Sequence, residues 1–216
     1  MRARSVLAAL AVLLAVCASA ACSSSSSSSG GATKGLSDNT GGGPFQGVGL
    51  VPPRPRPAFT LTDTAGATYS FGTQTQGRTT MLFFGYTNCP DICPATMADI
   101  GVALRALPVD IQKQITVVFV STDVKHDTGA VIARWLANFT PHTQATFVGL
   151  RGTQAQVNAA QAAAHIFLAE DGGQTHSTQV LLYGPDDYAH DSFVYTDNGE
   201  AKQMQHDLPL VVKGTT

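Results

Sequence analysis

Positive charge is scarce in this chain. Its 13 lysines and arginines stand against 15 aspartates and glutamates in 216 residues, a net charge of −2. The basic residues are scattered, so no stripe of them can neutralise a phosphate backbone, which argues against a nucleic-acid binder. Long apolar runs are missing too. The one pronounced stretch, Val6 to Val16, is 11 residues, and a membrane-spanning helix needs about 20. With 44% hydrophobic residues, the chain has room for one good domain and something beside it.

That addition stands at the N-terminus. Arg2 and Arg4 precede the apolar stretch, and the small residues Ala18-Ser19-Ala20-Ala21 lead into Cys22. This pattern reads as an export signal over residues 1–21, of the bacterial lipoprotein type in which Cys22 becomes the lipidated first residue. Ser19 occupies a place where lipoprotein signals usually carry an aliphatic residue. Cleavage after Ala20 at Ala18-Ser19-Ala20, or an uncleaved anchor, therefore stays open. Cys17 falls inside the apolar stretch, so Cys89 and Cys93 are the cysteines left for chemistry.

Residues 22–56 read as a tether. Ser23 to Ser29 is unbroken serine, and Gly, Ser and Thr dominate to about Gly49; such a composition buries too little apolar surface to order itself. Pro52-Pro53-Arg54-Pro55-Arg56-Pro57 then stiffens into an extended segment. The globular domain is expected over 57–216.

Within it, Phe59 to Thr62 and Ala67 to Phe71 alternate around a turn at Asp63 to Gly66 and predict a β-hairpin. Met81 to Gly85 and Ile115 to Val120 are apolar runs of the kind found in strands buried on both faces. Helices are expected at Pro90 to about Leu107, Thr128 to Asn138 and Thr153 to Ala164. Further strands are expected at Ala145 to Leu150, His165 to Leu168 and Thr178 to Tyr183, with Ser192 to Tyr195 pairing onto the last. Gln203 to Val212 reads as a final helix or strand. Strands alternating with helices and closing on a hairpin give an α/β sandwich around a mixed β-sheet flanked by helices.

The chemistry gathers where the Met81 strand hands over to a helix, at Cys89-Pro90-Asp91-Ile92-Cys93-Pro94. Unpaired N–H groups and the positive end of the dipole at a helix N-terminus favour thiolate over thiol. Cysteines at i and i+4 share one helix face, with Cα atoms roughly 6 Å apart. That spacing permits a disulfide and also lets two sulfurs clamp one soft ion, Cu(I) or zinc rather than magnesium.

Phe83-Phe84-Gly85-Tyr86-Thr87-Asn88-Cys89-Pro90-Asp91-Ile92-Cys93-Pro94 closely resembles the signature of the Sco/SenC family. Its members are thioredoxin-like copper chaperones associated with assembly of cytochrome c oxidase. Pro57-Ala58-Phe59-Thr60-Leu61-Thr62-Asp63 with Gly66, and Val118-Phe119-Val120-Ser121-Thr122-Asp123, are similar to that family as well. The resemblance covers roughly residues 57 to 212 and implies a thioredoxin-like fold.

It also implies a third ligand. Six histidines are available. In the family the metal-binding histidine occupies a loop before a strand, and His176 stands so, ahead of Gln179 to Tyr183 and after Gly172-Gly173. Thr175 takes the place where an acidic residue commonly precedes it. Cys89, Cys93 and His176 would then hold Cu(I), or Cu(II) with an added ligand. His126, His142, His165, His190 and His206 read as surface or packing residues. Asp127 or Thr128 is expected to cap a helix, Asp123 to orient the site or a partner, and Asp91 to be a first-turn acid or part of a recognition surface.

The first function expected is a copper metallochaperone, lipid-anchored on the extracytoplasmic face of the bacterial membrane. It would serve the cytochrome c oxidase subunit carrying Cu-A and depend on a copper donor and a thiol reductant. Ligand exchange of this kind needs no enzyme in the ordinary sense. The alternative is a thiol-disulfide oxidoreductase in which Cys89 attacks and Cys93 resolves. The Cys-x-x-x-Cys spacing is one residue longer than the redox signature. A peroxidase is weaker still, because no arginine stands between Arg78 and Cys89. A plain structural disulfide would close an unusually short loop.

Overall fold

Alternation inside two buried strands organises the molecule. The computed structural model describes residues 44–196 and 199–215; the expected signal at 1–21, Cys22 and the tether as far as residue 43 lie outside the described residues. In chain order the elements are β1 (Val48–Pro55), β2 (Thr60–Asp63), β3 (Thr68–Ser70), α1 (Phe71–Gln74), β4 (Thr79–Gly85), α2 (Ile92–Ala106), α3 (Val109–Gln112) and β5 (Ile115–Ser121). After these come α4 (Gly129–Leu136), β6 (Thr146–Arg151), α5 (Gln154–Ala163), β7 (Gln179–Tyr183), β8 (Tyr188–Val194) and α6 (Ala201–Val212).

The strands form one eight-stranded sheet in the order β1-β8-β7-β4-β5-β6-β2-β3. It is mixed: β4, β5 and β6 are parallel neighbours, and the remaining pairings are antiparallel. Successive side chains on a strand point to opposite faces. Met81, Phe83, Val117 and Phe119 therefore enter one core, with Met97, Ile100 and Leu104 of α2, Ile132 of α4 and Met204 and Leu208 of α6. Leu82, Phe84, Val118 and Val120 enter the other, with Val157 and Ala160 of α5 and Phe59 and Phe71. Central strands buried on both faces explain why these segments read as continuous apolar runs.

The expected hairpin is β2–β3, and the α5 helix opens on a capping box between Thr153 and Gln156. The tether reading of 22–56 needs correction at its end. Val48–Pro55 is not a free spacer but the edge strand β1, paired with β8 and irregular between Gly49 and Arg54. Prolines, which lack an N–H, are tolerated on an edge strand or at a bulge. Arg56 completes the attachment, donating to Asp187 at 2.7 Å, Thr75 at 2.9 Å and the carbonyls of Arg78 and Gly184.

His165 to Leu168 is not a strand. His165 has φ +55, and the buried Gln161 side chain takes the part of a partner strand, donating to Phe167 O at 3.1 Å and accepting from Ala169 N–H. The closing segment resolves as helix, with Met204, Leu208 and Val211 turned inward at helical spacing. Among the described residues no helix is long and apolar enough to cross a membrane.

Candidate metal centre

Strands β4 and β5 are parallel, and their C-terminal ends lie together, with the start of antiparallel β7 beside them. Crevices at such strand ends are where α/β sheets present ligands. Gly85 ends β4, and the loop from Tyr86 to Pro90 carries Cys89. Helix α2 begins at Ile92, so Cys93 sits in its first turn, and Pro94 is harmless there because its missing N–H has no partner in the first turn. Asp91 is the N-cap residue, yet its side chain makes no capping bond. The sulfur of Cys89 serves instead, accepting the N–H of Cys93 at 3.3 Å.

The two thiols therefore differ. Cys89 is half-buried and Cys93 buried, and both are free. Burial alone would push Cys89 up, but hydrogen bonds from the N–H groups of Cys93 and Asp91, with another from the Tyr86 side chain, bring it below its ordinary value. Burial pushes Cys93 far above its own, with the neighbouring Cys89 adding to the rise. Thiolate is thus favoured at Cys89 and disfavoured at Cys93.

His176 comes from the loop before β7. Its Nδ1–H donates to the carbonyl of Ser177 at 2.8 Å, which leaves Nε2 as the lone-pair nitrogen. Nε2 lies 3.3 Å from Cys93 Sγ, so the buried thiol donates to it. The ring meets Tyr86 and Phe83 edge-on, with centroids 5.5 and 6.3 Å away. Burial holds the imidazole below its usual value, so it is neutral and fit to ligate. The two sulfurs and Nε2 all lie within 4.8 Å of one another. Ligands at about 2.0 to 2.3 Å in a trigonal set stand about 3.5 to 4 Å apart, so a small closure seats one soft ion.

The other singled-out residues go elsewhere. Asp123 turns to His126, whose Nδ1 is 2.8 Å away. His190 pairs with Asp186 and His206 with Asp207. Thr128 caps α4 by accepting from Val131 N–H. Asp127 does not cap; it is buried and accepts from Thr87 N–H at 3.0 Å, Thr87 Oγ1 at 2.5 Å and Ser121 Oγ at 2.6 Å, fixing the start of the cysteine loop. Asp91 is exposed beside the site. Sequence reasoning missed Asp127, Ser121 and Thr122 as supports. The signal for Ser121 and Thr122 is the family-like stretch Val118 to Asp123, and Asp127 reads from sequence only as a possible cap.

The SCO1/SenC family model matches residues 51–211, well over half of the chain. The SCO2-like protein of Rickettsia felis is 29% identical over 151 residues, which span 68% of this chain and 66% of that protein. The matched part is thus just under two thirds of that relative's length. Among solved structures, apo Sco1 of Thermus thermophilus superposes with a TM-score of 0.64 at 26% identity, over 78% of this chain and 97% of that one. Bradyrhizobium japonicum ScoI with copper bound gives 0.58 at 27%, over 74% and 99%. The mixed sheet with helices on both faces is the thioredoxin-like fold of these neighbours, and the chain belongs to the SCO1/SenC family.

Proposed function

We propose that this protein is a copper metallochaperone that holds the ion through Cys89, Cys93 and His176. The observation that carries the reading is the convergence of two sulfurs and a neutral imidazole nitrogen within 4.8 Å. Copper-bound relatives on the same fold support the choice of ion. Binding displaces the Cys93 proton now directed at His176, so loading releases a proton and is favoured as pH rises. The half-exposed Cys89 is the ligand an incoming thiolate reaches first, which gives stepwise exchange to an acceptor.

The acceptor in this reading is the cytochrome c oxidase subunit carrying Cu-A. A donor loads the site and a thiol reductant keeps it open. The signal at 1–21 and lipid at Cys22 would hold the domain at the extracytoplasmic membrane face. Normal Cu-A assembly at limiting copper in a strain lacking the protein would remove this part of the proposal.

A Cu(I) competition titration on the reduced protein, beside His176→Ala and Cys89→Ser, tests the site itself. One tight equivalent, weakened in both variants, is expected. Binding indifferent to His176 would reduce the site to a dithiol. The asymmetry of the thiols favours a second reading, a thiol-disulfide oxidoreductase with Cys89 attacking and Cys93 resolving. Exchange with a disulfide peptide in the absence of tight copper binding would prefer it.

A further inference from the structure

His176 and the cysteines arrive on separate loops, and the residue between those loops is Thr122. It directly follows β5 and is fully buried. Its N–H donates to the carbonyl of Gly85 at 2.7 Å. Its hydroxyl lies 2.7 Å from the carbonyl of Gly173 and 3.1 Å from that of Gly85. A hydroxyl has one proton to give, and the N–H already serves Gly85, so the shorter bond to Gly173 takes it.

One partner lies against the candidate centre, and the other stands three residues before His176. A Cβ on Gly85 would stand 2.9 Å from Cys93 Sγ, so this glycine's backbone is the wall behind that sulfur. Gly173 has φ +99, and a Cβ there would overlap the Thr122 carbonyl; only glycine lets the two backbones approach so closely. The turn around Gly173 is itself tightly closed. Glu170 N–H donates to Thr175 O at 2.8 Å, and Gly173 N–H to Glu170 O at 2.8 Å. Holding Gly173 therefore fixes where Thr175 hands over to His176.

We infer that Thr122 is a positioning residue of the metal centre: its hydroxyl bond to Gly173 holds the histidine loop against the cysteine loop and so decides whether His176 reaches the ion. The inference rests on the three-ligand reading. Thr122 touches no ligand atom; it acts on copper only through the placement of His176.

Thr122→Val removes the hydroxyl and keeps the β-branched shape, whereas Thr122→Ser keeps the hydroxyl. In Cu(I) competition titrations of the reduced protein, Thr122→Val is expected to lose about 10- to 100-fold in affinity, the range for outer partners of metal ligands. Thr122→Ser stays near the parent. Added to His176→Ala, Thr122→Val costs nothing further, because residues acting through one another are not additive. Equal loss on both backgrounds, or parent-like affinity in Thr122→Val, overturns the inference.

Carbethoxylation of His176 in metal-free protein, followed by mass spectrometry, keeps this separate from the copper reading. Faster modification in Thr122→Val than in the parent and Thr122→Ser is expected, and an unchanged rate overturns the positioning role. Should His176→Ala bind copper as the parent does, the three-ligand reading falls and the carbethoxylation rate alone decides whether Thr122 holds the loop.

Discussion

The backbone N–H of Cys93 donates to the sulfur of Cys89 at 3.3 Å, so one cysteine caps the helix that carries the other. Capping by sulfur sets an N–H of the helix N-terminus against Cys89, whereas the buried Cys93 gives its own proton to His176. One thiol is thereby kept ready for exchange and the other kept dry.

Alkylation should expose that difference. Iodoacetamide reacts with thiolate, so the rate at each cysteine follows its ionised fraction and its access. Cys89 is expected to react first and to reach its plateau at a lower pH than a free cysteine, because its value is lowered. Cys93 should stay unreactive until the protein is denatured, since burial raises it. Peptide mass mapping of partly alkylated protein would read the order, and equal labelling of the two would contradict the asymmetry.

Gly85→Ala tests the wall behind the site. The added Cβ would stand 2.9 Å from Cys93 Sγ and 3.2 Å from ring carbons of Phe83 and Phe119, all fully buried. Overpacking of this kind costs about 1 to 3 kcal/mol. The variant is expected to fold with a lowered thermal midpoint and to bind Cu(I) less tightly, because Cys93 must yield. Unchanged affinity would mean that the sulfur can move without loss.

Asp127→Asn addresses the cysteine loop. The carboxylate accepts three hydrogen bonds, from Thr87 N–H, Thr87 Oγ1 and Ser121 Oγ. An amide offers one acceptor oxygen and brings two donors into a buried place. The loss of a satisfied buried partner is expected to cost about 1 to 3 kcal/mol, read by chemical denaturation. Cys89 alkylation should also quicken as its loop loosens; a stable variant with parental alkylation would deny Asp127 this role.

How much of this was legible beforehand depended on whether the physics was local. The β4 and β5 strands, the capped α5 helix and the cysteine turn are written in short-range pattern, and all are present. Pro52 to Pro57 misled because its partners, β8 and Asp187, are more than a hundred residues away. His165 to Leu168 misled because a single glutamine side chain satisfies the loop. Cys89, Cys93 and His176 were all named from the sequence, the histidine only through resemblance. The unequal chemistry of the thiols was not readable, since burial and cap geometry exist only in the folded chain.

The contacts of Gln46 and Gly47 with α6 offer a test by pH. Gln46 and Gly47 donate their N–H groups to Asp207, at 2.8 to 2.9 Å, and Asp207 is buried against Asp191. His206 Nδ1 lies 2.6 Å from the same Asp207 carboxylate. Burial, then the charge and hydrogen bond of Asp207, push Asp191 up to about 8. The native state thus keeps a proton that the unfolded chain surrenders near its ordinary value of about 3.9. Linkage makes this contribution full below that value and lost as pH rises through the native one. Thermal midpoints measured from about pH 5 to about pH 9 should fall in the parent relative to Asp191→Asn, which carries a neutral donor at every pH. The difference between the two curves should level off above about pH 8. Parallel curves would show that Asp191 does not hold this proton.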